Sequence, residues 1–218
     1  MPRNTEKDMI EESRRRERIL AAGLQLFSTH GIENVAMNTV AKAADVGPTT
    51  LFKYYQTKER LVIAISAAAW SKVWRESVAQ IGAEDFSRLS AFEMIRRYTD
   101  CIIAIYQHQP ALLRFSGDYK TFICRQQAQP EELQEHLEPL RAIQAMFHTA
   151  FMRAQVDHSI RTDIPEDVLF TAVAIGMLAT AERYAQGIVW AGGERPEHLR
   201  ELRATQEMIL LWCAAKRS

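Results

Sequence analysis

Residues 49–55 combine side chains that can bind the phosphates and base edges of a nucleic acid. Thr49 and Thr50 stand at the start of this segment, where hydroxyls and free backbone N–H groups can meet phosphate oxygens. Lys53 and Tyr54 follow in its middle and add a cation and a phenol. This pattern is typical of a short helix that turns one side toward DNA.

Three neighbouring positions extend the same chemistry. Pro48 and the methyl group of Thr49 can contact a thymine methyl, and the side-chain amide of Asn38 has the donor and acceptor that read adenine. Lys58 opens the next predicted helix, where its charge opposes the helix dipole unless an anion lies there. These residues are therefore candidate DNA contacts.

The elements that position these side chains form a recognisable arrangement. Two short helices are predicted at 38–45 and 49–55, with a break at Val46-Gly47-Pro48 between them. A longer amphipathic helix at 12–29 precedes them, and Gly31 is placed to end it. Two short helices joined by a tight turn and braced by a third form a helix-turn-helix unit.

The whole chain is predicted to be all-α. It contains only nine Gly and seven Pro, and residues 49–81 contain neither, which is too long a stretch for strands and their turns. Ser90 and Glu93 have the spacing of a capping box, and Pro110 and Gly117 are expected to bound a short irregular piece. Pro139 should kink or restart its helix. Further helices are predicted near residues 58–80, 90–108, 118–128, 131–156, 165–190 and 196–215.

The charge of the chain first seems to argue against DNA binding. Its 218 residues hold 27 Lys and Arg against 27 Asp and Glu, so the formal net charge is zero. Between residues 13 and 60, however, eight basic residues face four acidic ones, 8 − 4 = +4, and the remainder carries −4. The neutral total therefore hides a basic N-terminal unit.

The N-terminal unit resembles the DNA-binding domain of TetR-family regulators over about residues 12–62. The resemblance rests on about a dozen positions that occur in the same order without a gap. They are Arg18-Ile19-Leu20-Ala21-Ala22, Leu26-Phe27, Gly31, Val40-Ala41, Ala44, Val46, Thr50-Leu51-Phe52, Tyr54-Tyr55, Lys58 and Leu61.

This resemblance implies a homodimeric, cytoplasmic bacterial transcriptional regulator, usually a repressor. Residues 12–62 would be the helix-turn-helix domain that binds a double-stranded DNA operator, and residues 63–218 a larger helical domain for a small-molecule effector and for dimerisation. The effector expected is a hydrophobic or amphipathic ligand that releases the repressor from its operator. Carried over by position, the DNA contacts would be Asn38, Thr39, Pro48, Thr49, Thr50, Phe52, Lys53, Tyr54 and Lys58.

Three positions depart from the family pattern. Phe52 stands where the family usually has Tyr, so a phosphate-directed hydroxyl is lost. Asp45 replaces the Gly that usually precedes the valine of the turn, and Gly47 replaces the Ser or Thr that usually caps the recognition helix. We expect the fold and the docking mode to survive, and the operator sequence to differ.

The remainder of the chain is rich in aromatic residues, with 15 of the 19 lying after residue 60. Such residues usually form plain core, but collectively they can also line an apolar cavity. The candidate ligand residues are Trp74, Arg96, Tyr98, Tyr106, Phe115, Tyr119, Phe122, Phe147 and Phe151. Asp100 and Arg125 are further candidates for a polar anchor.

Residues 168–181 contain no charged side chain, so a helix formed there must be covered on every side. Its own domain can cover one face and a second subunit the other, together with the helix near 196–215. The alternative is the central helix of a monomer. The residues predicted at a dimer interface are Ala172, Gly176, Ala179, Thr180, Leu202 and Ile209.

Other functions find little support in the residues. The three Cys and six His show neither a disulfide framework nor metal-ligand spacing, so no metal and no cofactor is expected. No nucleophile triad or Gly-rich phosphate loop indicates an enzyme. No signal peptide or membrane helix is expected. The alternative function is a DNA-bound architectural or division-control protein of the same fold without an inducer.

Overall fold

The computed structural model describes residues 5–81, 88–127, 131, 133–187 and 198–215. Across these residues the protein is helical, with one isolated antiparallel bridge between Ile160 and Ala214. The predicted all-α fold is confirmed. The helices are α1 Thr5–His30, α2 Met37–Ala43, α3 Pro48–Tyr55, α4 Lys58–Ile81, α5 Ala91–His108, α6 Pro110–Gln126, α7 Gln134–Asp157, α8 Glu166–Ala185 and α9 His198–Cys213.

A small apolar core holds the N-terminal helices together. Ile19 and Phe27 of α1, Val40 of α2, Leu51 of α3 and Leu61 of α4 are all fully buried. Helices as short as α2 and α3 are not stable alone in water, because nucleating a helix is unfavourable. Burial of these side chains therefore fixes the two short helices and the turn between them.

Helix α1 is longer than the sequence pattern predicted, since it begins at Thr5 instead of near residue 12. Its first turns are exposed to solvent and bury little apolar surface. Ion pairs one turn apart support it there: Arg15 lies 3.4 Å from Glu11, and Arg16 lies 2.9 Å from Glu12.

The predicted capping box at the start of α5 is confirmed. The Glu93 amide donates to the Ser90 hydroxyl at 3.3 Å, and the Ser90 amide donates to the Glu93 carboxylate at 2.9 Å. The end of α7 adds a third cap, because the Ala91 amide donates to Asp157 Oδ2 at 2.8 Å. The bond from Ala91 to Asp157 joins the start of α5 to the end of α7.

The prediction of a short irregular piece between Pro110 and Gly117 is wrong. Helix α6 is continuous through it: Pro110 lies in the first turn, where its missing N–H has no intrahelical partner, and Gly117 lies in the interior. A Cβ at Gly117 would lie 2.1 Å from Nε2 of Gln186. The end of the Gln186 side chain therefore occupies the space beside Gly117, and this glycine does not end a helix.

Helices α7 and α8 each contain a feature that departs from a regular α-helical pattern. Pro139 lies inside α7, which continues through it. Helix α8 contains a π-helical turn at Thr171–Ile175. By length and composition α8 could cross a membrane, but the core helix of a soluble protein passes the same test, and α8 packs against α5 and α6. The predicted start of the last helix near residue 196 lies outside the described residues.

Helix α6 joins the N-terminal unit to the rest of the protein. Its Arg114 Nε donates to the carbonyl of Ser28 at 3.2 Å, and the ring of Phe115 stacks on Phe27 with a centroid separation of 6.4 Å. Continuous helix α4 makes the second connection and packs against α1, α6 and α7. Two helices, α4 and α6, therefore connect the N-terminal unit to the rest of the protein.

Candidate nucleic-acid interface

Helix α3 has one buried and one exposed face. Leu51 and Tyr55, one turn apart, are buried against the N-terminal core. Thr49 and Lys53 are exposed, and Phe52 keeps 43% of its surface in contact with solvent. An apolar side chain this exposed on a short helix is available to contact a partner surface.

The N-terminus of α3 carries no side-chain cap. Gly47 occupies the N-cap position with φ −66° and offers no hydroxyl or carboxylate to the first turn, and Pro48 follows at the first helical position. The positive end of the helix dipole therefore points to solvent beside the Thr49 hydroxyl. That arrangement suits a phosphate oxygen.

The turn between α2 and α3 is closed by a residue in the left-handed region. Asp45 has φ +53°, and its amide donates to the carbonyl of Lys42 at 3.2 Å. The next amide, from Val46, donates to Ala41 at 3.0 Å. A glycine adopts this conformation without strain, which explains why the family pattern has Gly here; Asp tolerates it better than most residues do.

None of the nine residues predicted to contact DNA is buried. Those exposed are Asn38, Thr39, Pro48, Thr49, Phe52 and Lys53, and those half-buried are Thr50, Tyr54 and Lys58. Their contact with DNA stays a prediction, but all nine side chains have solvent-accessible surface with which to make it.

Lys58 is engaged within the protein. Its Nζ donates to the carbonyl of Glu33 at 3.0 Å and lies 6.0 Å from the centre of the Phe122 ring. Partial burial lowers the pKa of Lys58, opposed by the charges of Glu33 and Glu59. A cation at the start of α4 is thus balanced by groups from both parts of the protein.

Two arginines of α1 lie beside Tyr54 of α3. The Arg16 guanidinium lies 4.9 Å from the centre of the Tyr54 ring. The pKa of Arg15 is raised, first by the neighbouring Tyr54 side chain and then by Glu11. From the sequence these arginines contributed only to the net charge of the N-terminal unit. Their spacing did not predict that they contact α3.

Residues 19–65 match the family model described as bacterial regulatory proteins, tetR family. They form a TetR-family N-terminal domain. The match begins inside α1 and ends in α4, so it contains both short helices, α2 and α3, and the turn between them.

Curated relatives match the same end of the chain. The HTH-type transcriptional repressor KstR of Rhodococcus jostii is 39% identical over 62 residues, which are 28% of this chain and 29% of the relative. KstR of Mycobacterium tuberculosis is 36% identical over 78 residues, 35% of this chain and 36% of the relative. The matches thus span about a third of each relative's length.

Solved structures extend the likeness in fold to nearly the whole chain. A TetR family transcription regulator from Marinobacter aquaeolei has a TM-score of 0.66 at 22% identity and covers 95% of this chain and 100% of its own. The fatty acid degradation regulator FadR from Bacillus halodurans has a TM-score of 0.67 at 12% identity, over 89% and 94% of the two chains. The architecture is therefore a helix-turn-helix domain joined to a larger helical domain.

The structure divides the nine predicted ligand residues among several places. Tyr98 and Phe147 meet edge to face at 5.1 Å, and Phe147 meets Phe170 in the same way at 5.2 Å. The Tyr98 hydroxyl donates to the carbonyl of Ala174 at 3.3 Å, inside the π-helical turn of α8. Burial raises the pKa of Tyr98, which keeps the phenol protonated as a donor.

The other predicted ligand residues lie elsewhere. Phe115 and Tyr119 pack together on α6, where Phe115 also faces Phe27 of α1. Arg96 is exposed, lies 5.1 Å from the ring centre of Phe92 and lines an open groove of about 750 Å³. Of the rest, Phe122 is buried, and Trp74, Tyr106 and Phe151 are half-buried. Among the described residues no group of three His, Cys, Asp or Glu is placed to hold a metal ion.

The predicted interface residues differ in accessibility. Ala172, Gly176 and Ala179 are exposed along one face of α8, whereas Thr180 and Ile209 are half-buried. The prediction for Leu202 is wrong, because that side chain is fully buried in the protomer core and cannot contact a second subunit. The sequence pattern missed the large apolar side chains that are exposed on α8 and α9: Val168, Ile175, Met208, Leu211 and Trp212.

Proposed function

We propose that this protein is a cytoplasmic transcriptional regulator that binds a double-stranded DNA operator as a homodimer, most simply as a repressor. The observation that carries the proposal is the outward face of α3, with Thr49, Phe52 and Lys53 exposed, inside a TetR-family domain. Residues 12–62 would bind DNA, and residues 63–218 would dimerise and respond to an effector.

In this proposal α3 lies in the major groove. Thr49 and Thr50 bind backbone phosphates at its N-terminus, while Lys53 and Tyr54 reach further along the groove. A single helix-turn-helix binds weakly, and a dimer would place two copies about 34 Å apart, one turn of the double helix.

Exposed apolar surface supports the homodimer. Leu211 and Met208 of α9 are 77% and 70% exposed, and Ile175 of α8 is 44% exposed. The small residues Ala172 and Gly176 are also exposed on α8 and would allow a second helix to approach closely. Two copies of α8 and α9 would then cover one another in an isologous four-helix interface.

The proposed effector is a small hydrophobic or amphipathic molecule that binds where Tyr98, Phe147 and Phe170 meet. Binding would separate these closely packed rings and break the hydrogen bond from Tyr98 to Ala174. Since that bond ends in the π-helical turn of α8, the effector would alter a helix of the proposed dimer interface. π-helical turns are often found at functional sites.

The signal would reach the DNA-binding helices through α4 and α6. Helix α6 packs against α8 and also against α1. A displacement of α8 would therefore move α6, and α6 would move α1. The DNA-bound and the released states would differ in the distance between the two copies of α3. An effector shifts the equilibrium between these two states only by its difference in affinity for them. We therefore expect it to bind the DNA-free protein more tightly than the complex.

The DNA-binding part is tested with full-length purified protein and sheared genomic DNA. Selection of bound fragments should recover a common sequence, and a gel-shift assay should show that Lys53→Ala/Tyr54→Ala no longer binds it while remaining dimeric in sedimentation. The control Lys72→Ala/Arg75→Ala, on the exposed side of α4, should bind as the wild type does. Unchanged affinity of the α3 variant would exclude α3 as the recognition helix.

A second candidate is a DNA-bound architectural or division-control protein of the same fold without an inducer. It is favoured by the packing of Tyr98, Phe147 and Phe170 against one another, with no ligand-sized space between the rings. Apolar small molecules are screened by thermal shift and then tested for release of the bound DNA fragment. Release by a hit, lost in Phe147→Ala, supports the repressor; a screen without any release supports the second candidate.

A further inference from the structure

Helix α1 extends N-terminally beyond the matched TetR-family domain, which begins at residue 19. We call residues 5–18 the α1 arm. Its charges are segregated: residues 6–12 hold one Lys against four acids, 1 − 4 = −3, and residues 14–18 hold four Arg against one Glu, 4 − 1 = +3. The basic half directly precedes the residues that match the family model.

The basic half of the arm touches the recognition helix. The Arg16 guanidinium lies over the Tyr54 ring, 4.9 Å from its centre, and the Arg15 side chain lies near the Tyr54 side chain. Tyr54 is itself at a position where TetR-family proteins contact DNA. Two guanidinium groups thus lie beside a side chain already expected at the DNA surface.

Both arginines remain open to solvent and are only weakly held. The side chains of Arg15 and Arg16 are 34% and 53% exposed, and those of their partners Glu11 and Glu12 are 55% and 48% exposed. Exposed ion pairs along one helix contribute little and are screened by salt. A DNA phosphate offers the planar guanidinium a stronger, charge-assisted contact.

We propose that Arg15 and Arg16 bind backbone phosphates of the operator beside the bases read by α3, and that Glu11 and Glu12 compete with those phosphates. The inference rests on the proposed DNA-binding function and adds a phosphate site in α1, outside the nine positions predicted to contact DNA and before the residues that match the family model. The acidic half of the arm then limits affinity, since each DNA contact must first displace a carboxylate.

The test uses full-length protein and the DNA fragment recovered by the genomic selection, in fluorescence anisotropy at several salt concentrations. Arg15→Gln/Arg16→Gln should weaken binding about tenfold or more. The plot of log K against log salt should become less steep, by about 1 to 2 per protomer. Glu11→Gln/Glu12→Gln should act in the opposite direction and tighten binding severalfold. Ethylation interference should map the phosphates whose contacts disappear in the arginine variant.

The control Lys72→Gln/Arg75→Gln removes the same charge from α4, about 21 Å or more along that helix from Lys58. It should leave the salt slope unchanged. If the arginines only hold Tyr54 in place, the arginine variant weakens binding without changing the slope, and the glutamate variant does not tighten it; either result overturns the inference. A wild-type protein that recovers no DNA fragment would instead overturn the proposed function.

Discussion

Lys120 and Glu182, 62 residues apart in sequence, form an ion pair between α6 and α8. The Lys120 ammonium donates to both carboxylate oxygens of Glu182, at 2.9 and 2.8 Å, and the Ser116 hydroxyl donates to the same carboxylate at 2.7 Å. The Glu182 side chain is 7% exposed, whereas that of Lys120 is 47% exposed. The pair therefore fixes α6, which holds α1, to a helix of the proposed dimer interface.

The two partners of this ion pair should respond unequally to substitution. Lys120→Met leaves a buried carboxylate without its cation and should lower the free energy of unfolding by about 3 kcal/mol. Glu182→Gln keeps an acceptor for Ser116 and leaves an ammonium that water can solvate. This variant should therefore lower the free energy of unfolding by only about 1 kcal/mol. Urea denaturation of both variants measures the difference.

A double-mutant cycle supplies the control for that comparison. Lys120→Met/Glu182→Gln should be less destabilised than the sum of the single variants, with a coupling of about 1 kcal/mol. Equal losses in the two single variants, or strict additivity, would contradict the ion pair as described.

Asp157 should stabilise the protein in a pH-dependent way. Partial burial alone would raise the pKa of this carboxyl, but hydrogen bonds donated by the amides of Ser159 and Ala91 outweigh it and lower the pKa below its ordinary value of 3.8. A lowered folded-state pKa gives stability that is present above the unfolded pKa and is lost as pH falls through the folded pKa.

Asp157→Ala should therefore lower the free energy of unfolding by about 1 kcal/mol at pH 7, as the loss of a helix cap does. The difference from wild type should begin to shrink as the pH falls below about 4, where the carboxyl of the unfolded chain becomes protonated, and should be lost as the pH falls through the lower folded-state pKa. Urea denaturation at pH 7 and pH 3 measures both values. Asp163→Ala, an exposed acid paired with Arg161 outside the α5 cap, is the control. A difference that stays constant with pH would rule out the carboxylate cap.

Asp45→Gly should stabilise the N-terminal domain. The residue has φ +53°, a conformation that glycine adopts without a Cβ clash, so we expect a gain of about 0.5 to 1 kcal/mol in thermal or urea denaturation. Ala43→Gly, two residues earlier in helix α2, is the matched control and should destabilise by about 1 kcal/mol. A loss of stability in Asp45→Gly would show that the Asp45 side chain contributes more than its backbone strain removes.

Leu211→Glu should dissociate the proposed dimer without unfolding the protomer. The side chain is 77% exposed, so a single subunit loses little packing, whereas two facing copies would bury two carboxylates. Sedimentation should show monomers, and affinity for the selected DNA fragment should fall because two half-sites are no longer bound together. Ala145→Glu, an exposed position on α7, should change neither property. A Leu211→Glu protein that stays dimeric would place the interface elsewhere.

Local features of the fold could be predicted because they depend on a few adjacent residues. The Ser90–Glu93 capping box, the break around Gly47 and the all-α character follow from backbone chemistry within one or two turns. The same reasoning failed at Gly117, where the pattern indicated a break. In the folded protein the helix continues, and the side chain of the distant residue Gln186 lies beside that glycine.

The sequence by itself determined the helix-turn-helix unit, the candidate residues of α3 and the apolar character of α8, because local spacing specifies these features. Only the tertiary structure decided which of those side chains meet: Arg16 with Tyr54, Lys120 with Glu182, and Tyr98 with the π-helical turn of α8. It also placed Leu202 in the core and left Leu211 exposed, although both are leucines of one helix. Periodicity shows that a helix has two faces, but which neighbour covers each face depends on contacts between residues far apart in the chain.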